Sequence, residues 1–398
     1  MRKLPLLIMA FLSVLTVLAQ DTTKTESGKL TLSGYVDAYY TYNFNRPPHQ
    51  PGLAWENEGR IFDIKHNEFS IGLAQLKADY TFKGLTGVID LTFGPNAALG
   101  NFGNVLGGAD IFIKQAYLTY NVTEKLQVTA GQFGTHIGYE LIDAPLNFNY
   151  SLSYLFGNGP FYHTGARVGY SFSDKLGVMA GIVNGWDAMY DFNKKKSYIA
   201  QLYVSPAENW DVYINYIGGD EKNGLSFPTI GAPGSEIPDS IKTPSHLLDL
   251  TTGYQLTESF KVGLNAAYGF GTLKPSATAT SGYESASWYG AALYLNYYLS
   301  EKFGLGLRAE HFNDKDGVRY VTGSFAGPLA ALGKTGVVMN EITLTGDIRL
   351  AGGNFIVKPE FRIDIADSDV FGKYKSDGTP EKATNIMPTL GTALMYKF

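Results

Sequence analysis

The chain has 398 residues, no cysteine, 46 glycines, 27 tyrosines, 24 phenylalanines and a net charge of -5. Without cysteine a disulfide framework and a thiolate metal site are excluded, and the acidic balance argues against a nucleic-acid partner, which needs a basic surface for counterion release. A mean hydropathy of -0.08 excludes a helical membrane protein, which carries several apolar runs of roughly 20 residues.

The one apolar run is N-terminal. Arg2 and Lys3 precede Leu4 to Leu18, and Val17 with Ala19 supplies the small-residue pattern of a secretory signal peptide, 1–19, cleaved before Gln20. A short periplasmic segment, 20–28, follows, and 29–398 reads as a single domain without a linker.

From Leu30 the residues alternate. Leu30, Leu32, Val36, Ala38 and Tyr40 fall on one face, and Thr31, Ser33, Tyr35, Asp37 and Tyr39 on the other. A period of two is that of a strand standing between an apolar and a watery medium. In 67–82 the apolar set Phe69, Ile71, Leu73 shifts phase to Leu76, Ala78, Tyr80, which predicts a β-bulge near Ala74-Gln75. The alternation returns in Tyr162 to Phe172, in Tyr289 to Leu299, and in the last run, Leu390 to Phe398.

Short turns such as Thr123-Glu124-Lys125, Ser173-Asp174-Lys175 and Ser300-Glu301-Lys302 alternate with long connectors at 45–66, 94–109, 137–161, 187–197, 218–245, 270–286, 312–338 and 366–383. Aromatics flank the short turns: Tyr120, Tyr170, Phe172, Tyr254 and Tyr297 enter them, and Trp210, Phe260 and Phe303 leave them. That is the place of an interfacial girdle. The expected fold is an all-β, up-and-down antiparallel transmembrane barrel of about sixteen strands, with short periplasmic turns and long extracellular loops.

A barrel of that width is not filled by its own wall. The inward positions of the later strands are ionic: Arg308, Glu310, Glu341, Asp347, Arg349, Lys358, Glu360, Arg362 and Asp364, with Arg167 earlier in the chain. Signs alternate along each strand, so one reading is a mutually neutralising, solvated wall. The other is a pore lining whose separated charges set selectivity. The 137–161 connector is rich in rings and amides and holds Glu140 and Asp143. A loop with so much apolar area is expected to fold inward as a constriction with those two carboxylates toward solute, or else to pack as an outer cap.

The runs Gly131-Gln132-Phe133 to Gly138-Tyr139-Glu140, Asn147-Phe148-Asn149-Tyr150-Ser151 and Gly159-Pro160-Phe161-Tyr162-His163-Thr164-Gly165-Ala166-Arg167, with Asn184-Gly185-Trp186-Asp187 and Leu307-Arg308-Ala309-Glu310-His311-Phe312, resemble the OmpL-like β-barrel porins of Gram-negative outer membranes. The resemblance spans nearly the whole mature chain. It implies a channel-forming barrel, and it implies neither a substrate nor a catalytic set.

No cofactor or metal is expected. The six histidines show no zinc spacing, and Asn313-Asp314-Lys315-Asp316-Gly317 lacks the terminal bidentate acid of a calcium loop. The sequence favours a porin passing small hydrophilic solutes, bounded by outer-membrane lipid and lipopolysaccharide, with a homotrimer suggested by analogy with porins of similar size. Two alternatives stay open. One is a closed barrel serving adhesion or envelope attachment; the other is a lipid-hydrolysing barrel using His311 as base, without any Gly-x-Ser-x-Gly motif beside it.

Overall fold

The computed structural model describes residues 27–52, 55–101, 111–191, 194–220, 244–273, 284–319 and 325–398; the expected signal peptide lies outside them. Sixteen strands alternate up and down: β1 Lys29–Asn43, β2 Phe69–Phe82, β3 Leu85–Phe93, β4 Ile111–Asn121, β5 Leu126–Gly134, β6 Tyr162–Ser173, β7 Leu176–Val183 and β8 Ser197–Ala207 form the first half. The second half is β9 Trp210–Asp220, β10 Pro244–Thr257, β11 Phe260–Leu273, β12 Glu284–Ser300, β13 Phe303–Asp314, β14 Val337–Leu350, β15 Phe355–Ala366 and β16 Ile386–Lys397. Each pairs with its sequence neighbours, and β1 pairs with β16, so the sheet closes into a barrel. Closure leaves no unpaired strand edge, a condition a sheet must meet in hydrocarbon.

The alternation has the expected sense. On β1 the odd residues Tyr35, Asp37, Tyr39, Thr41 and Asn43 are buried inside, while Leu30, Leu32 and Val36 lie on the outer surface. Aromatics cluster in neighbouring pairs at the short-turn end: Trp210 with Tyr254 at 5.4 Å and Phe260 with Tyr297 at 6.4 Å between ring centroids. The backbone of Phe398 exchanges hydrogen bonds with Gly34 of β1, N to O at 3.0 and 3.2 Å, continuing the closing ladder past β16.

The bulge in β2 lies two residues before its predicted place. Register slips between the pairs Val36↔Ala74 and Ala38↔Ile71, so Gly72 and Leu73 bulge opposite Asp37. The Leu73 amide donates to Asp37 Oδ1 at 2.6 Å. A Cβ on Gly72 would come within 2.0 Å of Asp37 Oδ2, so only glycine admits the carboxylate there. Leu73 turns into the barrel at 2% exposure and leaves the outward set formed by Phe69 and Ile71.

Candidate functional site

The segment between β5 and β6, 135–161, lies inside the barrel, and its path divides the lumen. It first crosses to the far wall, where the Gly138 amide donates to Asp249 Oδ2 of β10 at 3.2 Å. Tyr139 stacks on Tyr294 of β12 at 4.4 Å. The ring fits because β11 has Gly263 there; a Cβ at that position would sit 2.3 Å from the Tyr139 hydroxyl. Glu140 to Ile142 then return across the lumen, and Asp143 meets Lys114 of β4 at 2.5 Å. Residues 139–143 therefore form a chord from β11–β12 to β4.

Behind this chord the described residues of the loop pack against the wall. Carboxylates of the wall take consecutive amides of the loop: Glu310 accepts from the N–H groups of Tyr154 and Leu155, both at 2.7 Å, and Glu360 from those of Tyr150 and Ser151 at 2.8 and 3.0 Å. Tyr154 and Leu155 open a one-turn helix, Tyr154–Asn158, whose first amides have no partner within the helix, so Glu310 supplies what the backbone there lacks. Arg308 donates to Glu140 Oε1 at 2.6 Å, to the Ser151 carbonyl at 2.5 Å and to Glu341 Oε1 at 2.5 Å. Arg362 donates to the Leu152 carbonyl at 2.7 Å, Lys358 to the Asn147 carbonyl, and the Tyr154 hydroxyl to Asp364 at 2.7 Å. Phe148 sits where Gly306 leaves room, 2.2 Å from the position of an absent Cβ.

This corrects the picture of a solvated ionic wall for most of its members. Arg308, Glu310, Glu341, Lys358, Glu360, Arg362 and Asp364 are buried and bonded to inserted backbone or to one another. Buried charges persist only where partners replace water, and the inserted loop provides those partners. Asp347 and Arg349 pair with each other at 2.9 Å. Glu140 is 6% exposed and its carboxylate is occupied by Arg308 and by the Ser153 amide. Asp143 borders the lumen in its pair with Lys114.

In front of the chord a cavity of about 630 Å³ stays open. One side is the chord itself; the other is the arc of wall from β4 to β11, carrying Arg167, Gln201, Asp211, Tyr213, Thr251 and Lys261. Of the strand residues expected to line a pore, Arg167 alone lies here. It stacks over the Phe133 ring at 4.4 Å. Lys261, Gln201 and Asp211 were not singled out by the sequence, because each is an isolated polar residue on a strand without an ionic run. His136 also borders the opening. Its Nε2 donates to the Tyr216 carbonyl at 3.0 Å, and burial pushes its pKa down to about 4, so the ring is neutral.

A second connector, between β1 and β2, also enters the mouth with its residues 55–66, although its sequence suggested only an outer loop. Arg60 reaches Asp364 of β15 at 2.5 Å and Asp63 at 2.8 Å, and Phe62 packs beside Phe156 and Phe161 of the inserted segment. The apolar pair Ile61-Phe62 between two charged residues was the signal available for it.

His311 is exposed on the outer face and bonds Asn340 at 2.8 Å. Its partners across the two adjacent strands are Ala291 and Asn340, so no serine stands level with it. Asp367 pairs with Lys334 and Asp369 with Lys382.

No curated protein sequence matches the chain. The fold is that of several solved outer-membrane proteins. The channel DcaP of Acinetobacter baumannii aligns with a TM-score of 0.58 at 12% identity over 94% of this chain and 99% of its own. OprB of Pseudomonas putida aligns with a TM-score of 0.57 at 13% identity over 94% of each chain, and OmpF of Salmonella typhi with 0.54 at 11% identity over 94% of this chain and 98% of its own. The family model described as "Putative beta-barrel porin-2, OmpL-like" matches residues 29–398. With its closed sixteen-stranded barrel and a loop held across the lumen, the chain belongs to this family of outer-membrane porins.

Proposed function

We propose that this porin gives passive passage to small hydrophilic solutes through the half-lumen between the 139–143 chord and the β4–β11 wall. The observation that carries the reading is the division of the lumen into a packed half and an open cavity of about 630 Å³. A closed barrel for adhesion would have both halves filled. On this reading the size limit is set by the chord, since its ends are pinned at Tyr139 and at Asp143. The ionic residues of β13 to β15 then serve as anchors, and selectivity falls to the arc that includes Arg167.

Passive passage needs no catalytic residue; the carrier of specificity is the shape and charge of the opening. The cleaved leader 1–19 would direct export to the Gram-negative outer membrane, where lipid and lipopolysaccharide surround the apolar wall. Protein refolded from residues 20–398 and added to planar lipid bilayers should give discrete conductance steps. Their absence, with folded barrel present by heat-modifiable gel migration, would overturn the proposal.

A further inference from the structure

We infer that the opening favours small zwitterions that carry an apolar side chain, the class of the aliphatic amino acids, and that Leu141 of the chord sets this preference. The inference rests on the channel reading above and deepens it. Leu141 lines the cavity and is 47% exposed, whereas Leu152, Tyr154, Leu155 and Phe161 of the same segment are packed away from water. Nor is it free to fold back. Its amide donates to Asn147 Oδ1 at 2.9 Å and its carbonyl accepts from Asn147 Nδ2 at 2.6 Å, so one side chain clasps both of its main-chain groups. The turn closed in this way is tied to two strands, through Asp143 to Lys114 of β4 at 2.5 Å and through the Ala144 carbonyl to Lys358 of β15 at 3.3 Å. An aliphatic group is thereby fixed in the passage, where only a solute with apolar surface takes it out of water.

The facing arc carries a ring and polar groups of both signs. Tyr213 lines the cavity and lies 5.0 Å from Tyr203 between centroids, and the Tyr203 hydroxyl donates to Asp211 at 2.8 Å. Arg167, Lys261 and Asp211 border the opening with the amide of Gln201 and the hydroxyl of Thr251. On the chord side Lys114 is shared between Asp143 at 2.5 Å and Asp90 of β3 at 3.5 Å. A solute bearing one ammonium and one carboxylate finds a partner for each, whereas an ion of either sign also meets its like. Between two zwitterions of equal size, the one with the apolar side chain gains the contact with Leu141, and the hydroxylated one does not. Leu141 thus adds an apolar criterion to the selectivity of the arc.

The test is the swelling of liposomes that hold the refolded full barrel, in isosmotic valine or threonine, two zwitterions of matching shape that differ by a methyl in place of a hydroxyl. Rates are corrected for protein-free liposomes. A valine-to-threonine rate ratio of at least about 2 is expected. Leu141→Asn, close in size and polar, should bring the ratio to about 1 or below, while Leu141→Met should retain the excess. Heat-modifiable migration establishes that each variant has folded, and Leu141→Ser serves if Leu141→Asn has not. A ratio at or below about 1 in the unaltered protein, or swelling in glycine alone, would overturn the preference and leave the channel reading intact. A ratio unmoved by the polar variant would overturn the assignment to Leu141. No swelling in valine, threonine or the smaller glycine would sink the channel reading, and the inference with it.

Discussion

Arg308 of the wall and Glu140 of the inserted segment meet at 2.6 Å, both withdrawn from water. The pair ties one end of the chord to β13, and the same guanidinium holds the Ser151 carbonyl and Glu341. Replacing only the cation strands two buried carboxylates. Arg308→Ala is therefore expected to lower stability by about 3–5 kcal/mol and to loosen the chord. Denaturant unfolding in detergent measures the first effect. Larger and noisier single-channel currents measure the second.

The glycine seats make a separate prediction. Phe148 occupies the place where a side chain at 306 would stand. Gly306→Leu should expel the ring, at a cost of about 1–3 kcal/mol for overpacking. Thermal unfolding followed by gel migration should show a lowered midpoint, whereas the same change at Gly378, with no atom near its Cβ position, tests only the strain of its positive φ of 83°.

Asp37 joins the β2 bulge to the loop, because it accepts both the Leu73 amide at 2.6 Å and the Tyr150 hydroxyl at 2.6 Å. Asp37→Ala should cost about 1–3 kcal/mol by leaving those donors unsatisfied. Tyr150→Phe removes only one of the two bonds and should cost less. Equal losses in the two variants would contradict the assignment of Asp37 to both contacts.

The outer mouth should respond to pH. Glu58 accepts the Gly372 amide at 2.9 Å, and burial pushes its pKa up to about 7 despite that bond. Its docked pKa is above the free value, so the docked form holds its proton longer. The contact between 44–68 and 367–385 is thus strongest below about pH 4.5, the ordinary glutamate range, and weakens as pH rises through about 7. Hydrogen exchange of the Gly372 amide should be slower, relative to the intrinsic rate, at pH 5 than at pH 8. Glu58→Gln should flatten the dependence.

Much of the barrel is legible in the sequence because alternation states which side of the wall a residue faces. Tyr35 and Asp37 inside, or Leu30 and Val36 outside, follow from that rule alone. Alternation does not state what an inward residue meets. Arg362 reads as lumenal on β15, but the Leu152 carbonyl that it binds is 210 residues away. The bulge was misplaced for a related reason: phase change shows that a residue is inserted, while its position depends on Asp37, across the strand pair. Lys261 and Gln201 were missed because a chord must first divide the lumen before either becomes part of an opening.

Because the chain has no cysteine, single introduced thiols report the divided lumen directly. Gln201→Cys and Thr251→Cys lie in the open half, and Thr343→Cys and Thr345→Cys are buried in the packed half. A charged, water-soluble thiol reagent applied during bilayer recording should lower the current through the first two and leave the second two unchanged. Block at 343 and 345 with none at 201 and 251 would contradict the account.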